Sequence, residues 1–238
     1  MELNGKKIVI VGGSSGIGLA SAKKAVDQGA EVIIVSRSSE KLAEAKQEIG
    51  KDITSYTADM TKENEMEDLF AEIGTFDHLV VTAGTATYGN FLDTEVSEAR
   101  ALFDNKFWGQ YIAVKYGVPR LSEEGSVTLF SGVVAFKAMV GSAALGAVNA
   151  SIANLGQTLA LELAPIRVNV VSPGIIDTPS RYGMPEVERK EFYQDMAEQL
   201  PLKRVGQADD VADSVIYLMK NSFVTGEIVH NEGGHRLI

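Results

Sequence analysis

The stretch Val11-Gly12-Gly13-Ser14-Ser15-Gly16-Ile17-Gly18 joins an apolar run, Ile8-Val9-Ile10-Val11, to an amphipathic segment ending at Gln28. The run reads as a buried strand and the segment from Ile17 as a helix. A strand, a tight glycine turn and a helix start together make a phosphate site. The first N–H groups of a helix lack internal partners, and the helix dipole is positive there. Gly12, Gly16 and Gly18 suit the three tasks of such a loop: a sharp turn, close approach of pyrophosphate to backbone, and tight packing of helix on strand. Ser14, Ser15 and Ile17 complete the loop, which predicts dinucleotide binding. Without a ligand it would be only a tight turn between strand and helix.

Outward from this loop the chain alternates. Strands are predicted at Glu31–Val35, Ile53–Thr57, His78–Val81, Ser126–Phe130, Arg167–Val171 and Glu227–His230. Helices are predicted at Ser39–Ile49, Lys62–Ile73, Ser97–Leu121, Ala143–Leu163, Glu186–Glu198 and Ala208–Lys220. Apolar strands alternating with helices across short turns predict an α/β fold, a doubly wound parallel sheet with helices on both faces. No repeat or linker divides residues 1–238, so a single domain is expected.

The composition narrows the function. With 22 basic against 32 acidic side chains the net charge is −10, which argues against nucleic-acid binding. The chain has no Cys, and His78, His230 and His235 form no ligand spacing, so no metal site is expected. The uncharged stretch Ala138–Leu161 is long enough to span a bilayer, but Ser142, Asn149, Ser151, Asn154, Gln157 and Thr158 interrupt it. A buried helix is the better reading, with no membrane partner. A first strand starting within a few residues of Met1 leaves no visible signal peptide, so a cytoplasmic location is expected.

In a doubly wound sheet, ligands sit beyond the carboxyl ends of the strands. Ser36-Arg37 follows the second strand, where an acidic residue would favour NAD. A guanidinium there can grip a 2′-phosphate in a bidentate way, which predicts NADP(H) over NAD(H). Asp59 and Met60 follow the third strand, placed to bond and cover the adenine edge. Thr82-Ala83-Gly84 follows the fourth and lets backbone approach the cofactor.

These residues together resemble the short-chain dehydrogenase/reductase family. The similarity runs through Gly12-x-x-x-Gly16-Ile17-Gly18, Asp59, Ala83-Gly84, and Asn105 with Gly109. It continues through Arg167-Val168-Asn169-Val170-Val171-Ser172-Pro173-Gly174 to Thr225-Gly226 and Gly233-Gly234. The resemblance implies a Rossmann-like sheet of about seven strands, a nicotinamide cofactor, reduction of carbonyls or oxidation of alcohols, and a homodimer or homotetramer. Pro173, Gly174, Ile176 and Thr178 match the segment that packs on the nicotinamide end. Residues 177–199 match a substrate flap.

The departure lies in the chemistry. The family uses a Tyr and a Lys four residues on, one helical turn apart. The ammonium lowers a phenol pKa that is otherwise ~10 and holds the nicotinamide ribose. A Ser at the preceding strand end stabilises the oxygen. Counted from the strand Ser126–Phe130, the Tyr position is Leu145 and the Lys position Asn149, and no Tyr or Lys lies between Ala138 and Leu161. The Ser position falls at Gly132, with Ser131 one residue earlier. Asn105 and Ser131 are left as catalytic candidates, and Asn149 can still bond a ribose hydroxyl.

Tyr111-x-x-x-Lys115 has the family spacing but precedes the fifth strand, where the family pair does not sit. Tyr88, Lys137, Arg181 and Tyr182 are further sources of a proton or charge. Phe91, Val133, Ala135, Phe136, Leu145 and Met184 predict an apolar pocket for a small carbonyl or alcohol. Two readings follow: an NADP(H)-dependent oxidoreductase with displaced acid–base groups, and a non-catalytic NADP(H)-binding sensor or partner subunit.

Overall fold

The computed structural model describes residues 2–50, 53–84 and 86–238. Its first half alternates β1 (Lys7–Val11), α1 (Gly16–Asp27), β2 (Glu31–Ser36), α2 (Ser39–Ile49), β3 (Thr54–Thr57), α3 (Glu63–Ile73) and β4 (Phe76–Val81). The second half adds α4 (Val96–Phe103), α5 (Gly109–Gly117), β5 (Leu121–Phe130), α6 (Ala143–Glu162) and β6 (Arg167–Pro173). A short β7 (Ile176–Asp177), α7 (Glu186–Gln199), β8 (Gly206–Gln207), α8 (Ala208–Lys220) and β9 (Ile228–Asn231) follow.

Seven strands form one parallel sheet in the order β3-β2-β1-β4-β5-β6-β9. Each strand of the centre is apolar on both sides because helices cover both faces. Leu69, Phe70, Ile112, Val148 and Ile152 pack from α3, α5 and α6 on one face. Leu19, Val26, Leu42, Val215 and Leu218 pack from α1, α2 and α8 on the other. The order reverses at β1, which lies between β2 and β4. The chain then leaves in opposite directions from two neighbouring strands, and a cleft opens between their loops.

Three features differ from the sequence reading. The helix predicted over Ser97–Leu121 is wound in three ways: α4, a π turn over Asp104–Trp108, then α5 and a 3₁₀ turn over Val118–Arg120. Leu121 already belongs to β5, which is ten residues long. A separate two-stranded pair, β7 with β8, ties the flap to the turn before α8. Two residues per strand carry no periodicity, so no pattern could announce them. Among the described residues no helix is long and apolar enough to cross a membrane.

Two buried polar side chains of the sheet are bonded, one to a covering helix and one to the next strand. Arg167, at the start of β6, donates to the carbonyls of Leu218 (2.7 Å), Met219 (2.9 Å) and Val224 (3.2 Å). It thereby satisfies the open carbonyl end of α8 and places positive charge at the negative pole of the helix. His78 in β4 is 1% exposed, and its Nδ1 lies 2.8 Å from the Ser126 hydroxyl of β5. Burial, with Arg167 nearby, depresses its pKa from 6.5 to about 4.

A depressed histidine contributes stability above its unfolded pKa and loses it as pH falls through the folded one. Stability is therefore expected to drop by about 3 kcal/mol between pH 6.5 and 4 from this group alone. Urea unfolding across that range checks it, and His78→Gln should remove this part of the slope.

Candidate functional site

The cleft at the carboxyl ends of β1 to β6 has a volume of about 970 Å³. Its middle is the glycine loop. Gly12 has φ +92, and a Cβ there would lie 2.6 Å from both the Ala83 nitrogen and the Thr82 hydroxyl. At Gly18 a Cβ would lie 2.2 Å from the Gly12 carbonyl oxygen. The loops after β1 and β4 thus pack backbone on backbone, with α1 pressed against both. Ser15 caps α1 without a side-chain bond, and the first turn holds no acidic residue. Gly16, Ile17 and Gly18 of that turn line the cleft, an arrangement that suits an anion.

At one end of the cleft, Ser36 closes β2 and its hydroxyl accepts from that of Ser14 at 2.9 Å. Arg37, Ser38 and Lys41 line the wall beyond it. Asp59 faces them. Burial works against its charge, but the Thr61 N–H (3.0 Å), the Thr61 hydroxyl (2.9 Å) and the nearby Arg37 hold its pKa below the ordinary value. Met60 lines the same end, packed where a Cβ on Gly109 would touch its Cε.

At the other end, Thr82, Ala83 and Gly84 form one wall and Pro173, Gly174, Ile176 and Thr178 another. Asn105, Ser131, Leu145 and Asn149 all line this end. The segments named from the sequence thus lie together in one cleft. The sequence does not foretell their bonds. The Ser131 hydroxyl is 4% exposed and donates to the Asn149 backbone carbonyl at 2.8 Å, so its proton points into α6. Leu145 is buried at 3% exposure. The Asn149 side-chain oxygen accepts from Lys106 Nζ at 2.5 Å, and the same ammonium donates to the Ser131 carbonyl at 3.0 Å.

Lys106 was missed by sequence reasoning. It sits in the π turn, whose geometry Gln110 secures. The Gln110 amide donates to the carbonyls of Lys106 (3.1 Å) and Phe130 (3.0 Å), and its oxygen accepts from the Phe130 N–H at 2.8 Å. A side-chain amide patches the carbonyl at the widened turn and fastens it to the end of β5. The Lys106 stem then runs past Gly84, where a Cβ would lie 3.1 Å from its Cγ. Desolvation lowers the ammonium's pKa from 10.5 to about 8. A buried amide at position 110 beside a small residue at 109 was the one available signal.

The segment 177–199, expected from the sequence as a flap, supplies several residues to this end. Arg181 places its guanidinium over the rings of Phe192 (5.0 Å) and Tyr88 (5.7 Å). Met184, Phe192 and Met196 face the cleft, yet α7 buries no residue fully. Some residues weighed from the sequence lie elsewhere. Tyr111, set apart already by its place before β5, packs against Phe107 and Trp108 on the outer helix surface, and Lys137 binds the carbonyls of His235 and Ile238. Phe91, Ala135 and Phe136 line a second, shallower hollow, whereas Val133, Leu145 and Met184 line the main cleft. Four cationic residues, Arg37, Lys41, Lys106 and Arg181, line the main cleft against one carboxylate, Asp59.

Comparison with known proteins gives one result. A family model described as enoyl-(acyl carrier protein) reductase matches residues 11–236. Short-chain dehydrogenase/reductase ATR9 of Stachybotrys chlorohalonatus is 35% identical, with 98% of this chain and 97% of that protein covered. Carbonyl reductase family member 4 of Xenopus tropicalis is 30% identical, with 98% of each covered. A crystal structure of a small-chain dehydrogenase in complex with NADPH superposes with a TM-score of 0.88 at 36% identity, over 99% of this chain and 100% of that one. A second structure, of a short chain dehydrogenase/reductase family protein, gives 0.90 at 30% identity over the whole of both chains. The chain belongs to the short-chain dehydrogenase/reductase family of oxidoreductases.

Proposed function

We propose that the protein is an NADP(H)-dependent oxidoreductase acting on a small apolar carbonyl or the corresponding alcohol through an atypical reaction centre. The observation that carries the nucleotide choice is the wall beyond β2. Ser36 stands there in place of a carboxylate, and Arg37 and Lys41 line the cleft behind it. The similar dehydrogenase solved with NADPH supports the same choice.

The residues present fit a dinucleotide. The loop Gly12, Ser14, Ser15, Gly16, Ile17 and Gly18 holds the pyrophosphate against the open end of α1. Ser36 and Arg37 take the 2′-phosphate, Asp59 and Met60 the adenine, and Thr82 to Gly84 the backbone between. Asn149, Pro173, Gly174, Ile176 and Thr178 enclose the nicotinamide end. When bound, the nicotinamide supplies or accepts a hydride. Val133, Leu145, Met184 and Phe192 exclude water from the reacting carbon.

Fluorescence titration of nucleotide-free protein with NADPH and NADH tests the reading. NADPH should bind at least tenfold more tightly. Arg37→Ala should cost roughly 10–100-fold in NADPH affinity and little for NADH, since charge-assisted bonds are worth about 1.5–3 kcal/mol. Equal affinities in the parent protein would overturn the preference.

The second reading, a non-catalytic NADP(H)-binding protein, is favoured by Leu145, which has no proton to give, and by the Ser131 hydroxyl turned into α6. Tight binding of NADPH with no consumption of it over a carbonyl panel would establish that reading instead.

A further inference from the structure

The reaction end of the cleft has the groups to bind a carbonyl but, without another residue, no acid to protonate it. Leu145 is apolar. The Ser131 proton is committed to the Asn149 carbonyl. An amide such as Asn149 donates a hydrogen bond and not a proton. Arg181 does not deprotonate in a protein, and on the flap it is engaged with Tyr88 and Phe192. Tyr88 also lines the cleft, but it is 47% exposed and its hydroxyl accepts from Arg181 at 3.5 Å. Lys106 differs from all of these, as an ionisable donor bonded directly to Ser131 and Asn149.

We propose that Lys106 is the catalytic acid of this site, giving its proton to the carbonyl oxygen in reduction and taking it from the alcohol in oxidation. The inference rests on the oxidoreductase reading above. Geometry carries it. The ammonium has three N–H donors, and the Ser131 carbonyl and Asn149 side-chain oxygen occupy two of them. These two acceptors come from the end of β5 and from α6, so they aim the nitrogen at the reaction end. The third donor is left for a ligand oxygen in the cleft that Lys106 lines.

Asn149 thereby acquires a positioning role: it holds a cation delivered from a different helix. The lowered pKa agrees with the assignment, because an acid works best near the pH at which it operates. The groups that face the ammonium are Gly84 after β4, Ser131 of the β5 end and Asn149 of α6, none of them ionisable. Of the charged cleft residues, Arg37, Lys41, Asp59 and Arg181, none contributes to the shift.

The step balances. The carbonyl carbon gains a C–H bond with the hydride of the reduced nicotinamide nucleotide. The carbonyl π pair becomes the O–H bond with the proton from Lys106 Nζ. The neutral amine is then recharged by water.

Two experiments test the proposal. In the nucleotide-free protein, acetic anhydride labelling of Lys106 is followed by mass spectrometry across pH. A midpoint near 8 is expected, and one near 10 would overturn the assignment. In the NADPH-loaded protein, reduction of 9,10-phenanthrenequinone and of aromatic aldehydes is followed across pH. In the parent protein kcat/KM should fall tenfold per pH unit above about 8, because the protonated amine is the active form. Lys106→Met should lose about 10²–10⁴-fold while still binding NADPH, the range general acid catalysis supplies. Lys106→Arg keeps the charge but does not release a proton, so it should stay slow and lose the fall near pH 8.

Full rescue by Arg would reduce Lys106 to a fixed charge and overturn the proposal. So would parental rates in Lys106→Met, with the oxidoreductase reading left standing. A parent protein that binds NADPH and reduces none of these probes would overturn both together.

Discussion

Asn149→Lys is expected to destabilise the protein by about 3 kcal/mol, although it introduces the residue type the family uses at that position. The substitution removes the acceptor 2.5 Å from Lys106 Nζ and sets a second ammonium beside the first. Each is poorly hydrated there, and a buried charge that loses its partner costs about 3–5 kcal/mol before relaxation. Neutralising the resident cation should relieve the clash. The double variant Lys106→Gln with Asn149→Lys is therefore expected to recover most of the loss, with a coupling energy of about 2–3 kcal/mol in urea unfolding. Additive single effects would show that the two positions do not share one charge site.

The same logic governs any attempt to install the family's usual acid. Leu145→Tyr with Asn149→Lys should gain carbonyl reductase activity only where Lys106 is neutralised as well.

Gly18→Ala should abolish nucleotide binding and cost about 3 kcal/mol of stability. The new methyl would stand 2.2 Å from the Gly12 carbonyl oxygen and 2.6 Å from the Thr82 hydroxyl. The first is a backbone atom, and the second is tethered by its bonds to the Val11 and Gly12 carbonyls, so neither swings aside freely. Overpacking of this kind typically costs 1–3 kcal/mol, and rigid neighbours put it at the upper end. The more sensitive readout is NADPH affinity, expected to fall at least a hundredfold, because α1 must move away from the loop whose amides are proposed to receive the pyrophosphate. A variant with parental affinity would show that the close packing of helix on strand is not what shapes the anion site.

The sheet was legible because its determinants are local and periodic. Apolar runs such as Ile8–Val11 and Ile33–Val35 are buried on both sides, and the strands lie close to where the runs fall. The end of the cleft proposed for the nucleotide could be placed for a related reason: backbone groups make it, and glycines announce where backbone must approach. The reaction end was legible only as an absence. Counting along α6 located Leu145 and Asn149, but nothing in that helix says what supplies the missing charge. Lys106 follows Asn105 directly, and on a regular helix the two project about 100° apart. Which of them reaches Ser131 and Asn149 depends on a local widening that no hydrophobic period records. The direction of the Ser131 hydroxyl was hidden in the same way, since it is fixed by an α6 carbonyl distant in sequence. Long-range polar partners decide such details, and spacing along the chain does not carry them.

The π turn at Asp104–Trp108 gives that helix two angular settings on one axis. One surplus residue advances everything beyond it by about a quarter of a revolution while adding under 2 Å of length. The sheet order, the loop lengths and the seat of α6 need not change to accommodate it. A fold that tolerates such a phase slip can exchange the side chain presented to its reaction centre without rebuilding the centre. Here a charge missing from one helix is met by a neighbouring helix turned on its own axis.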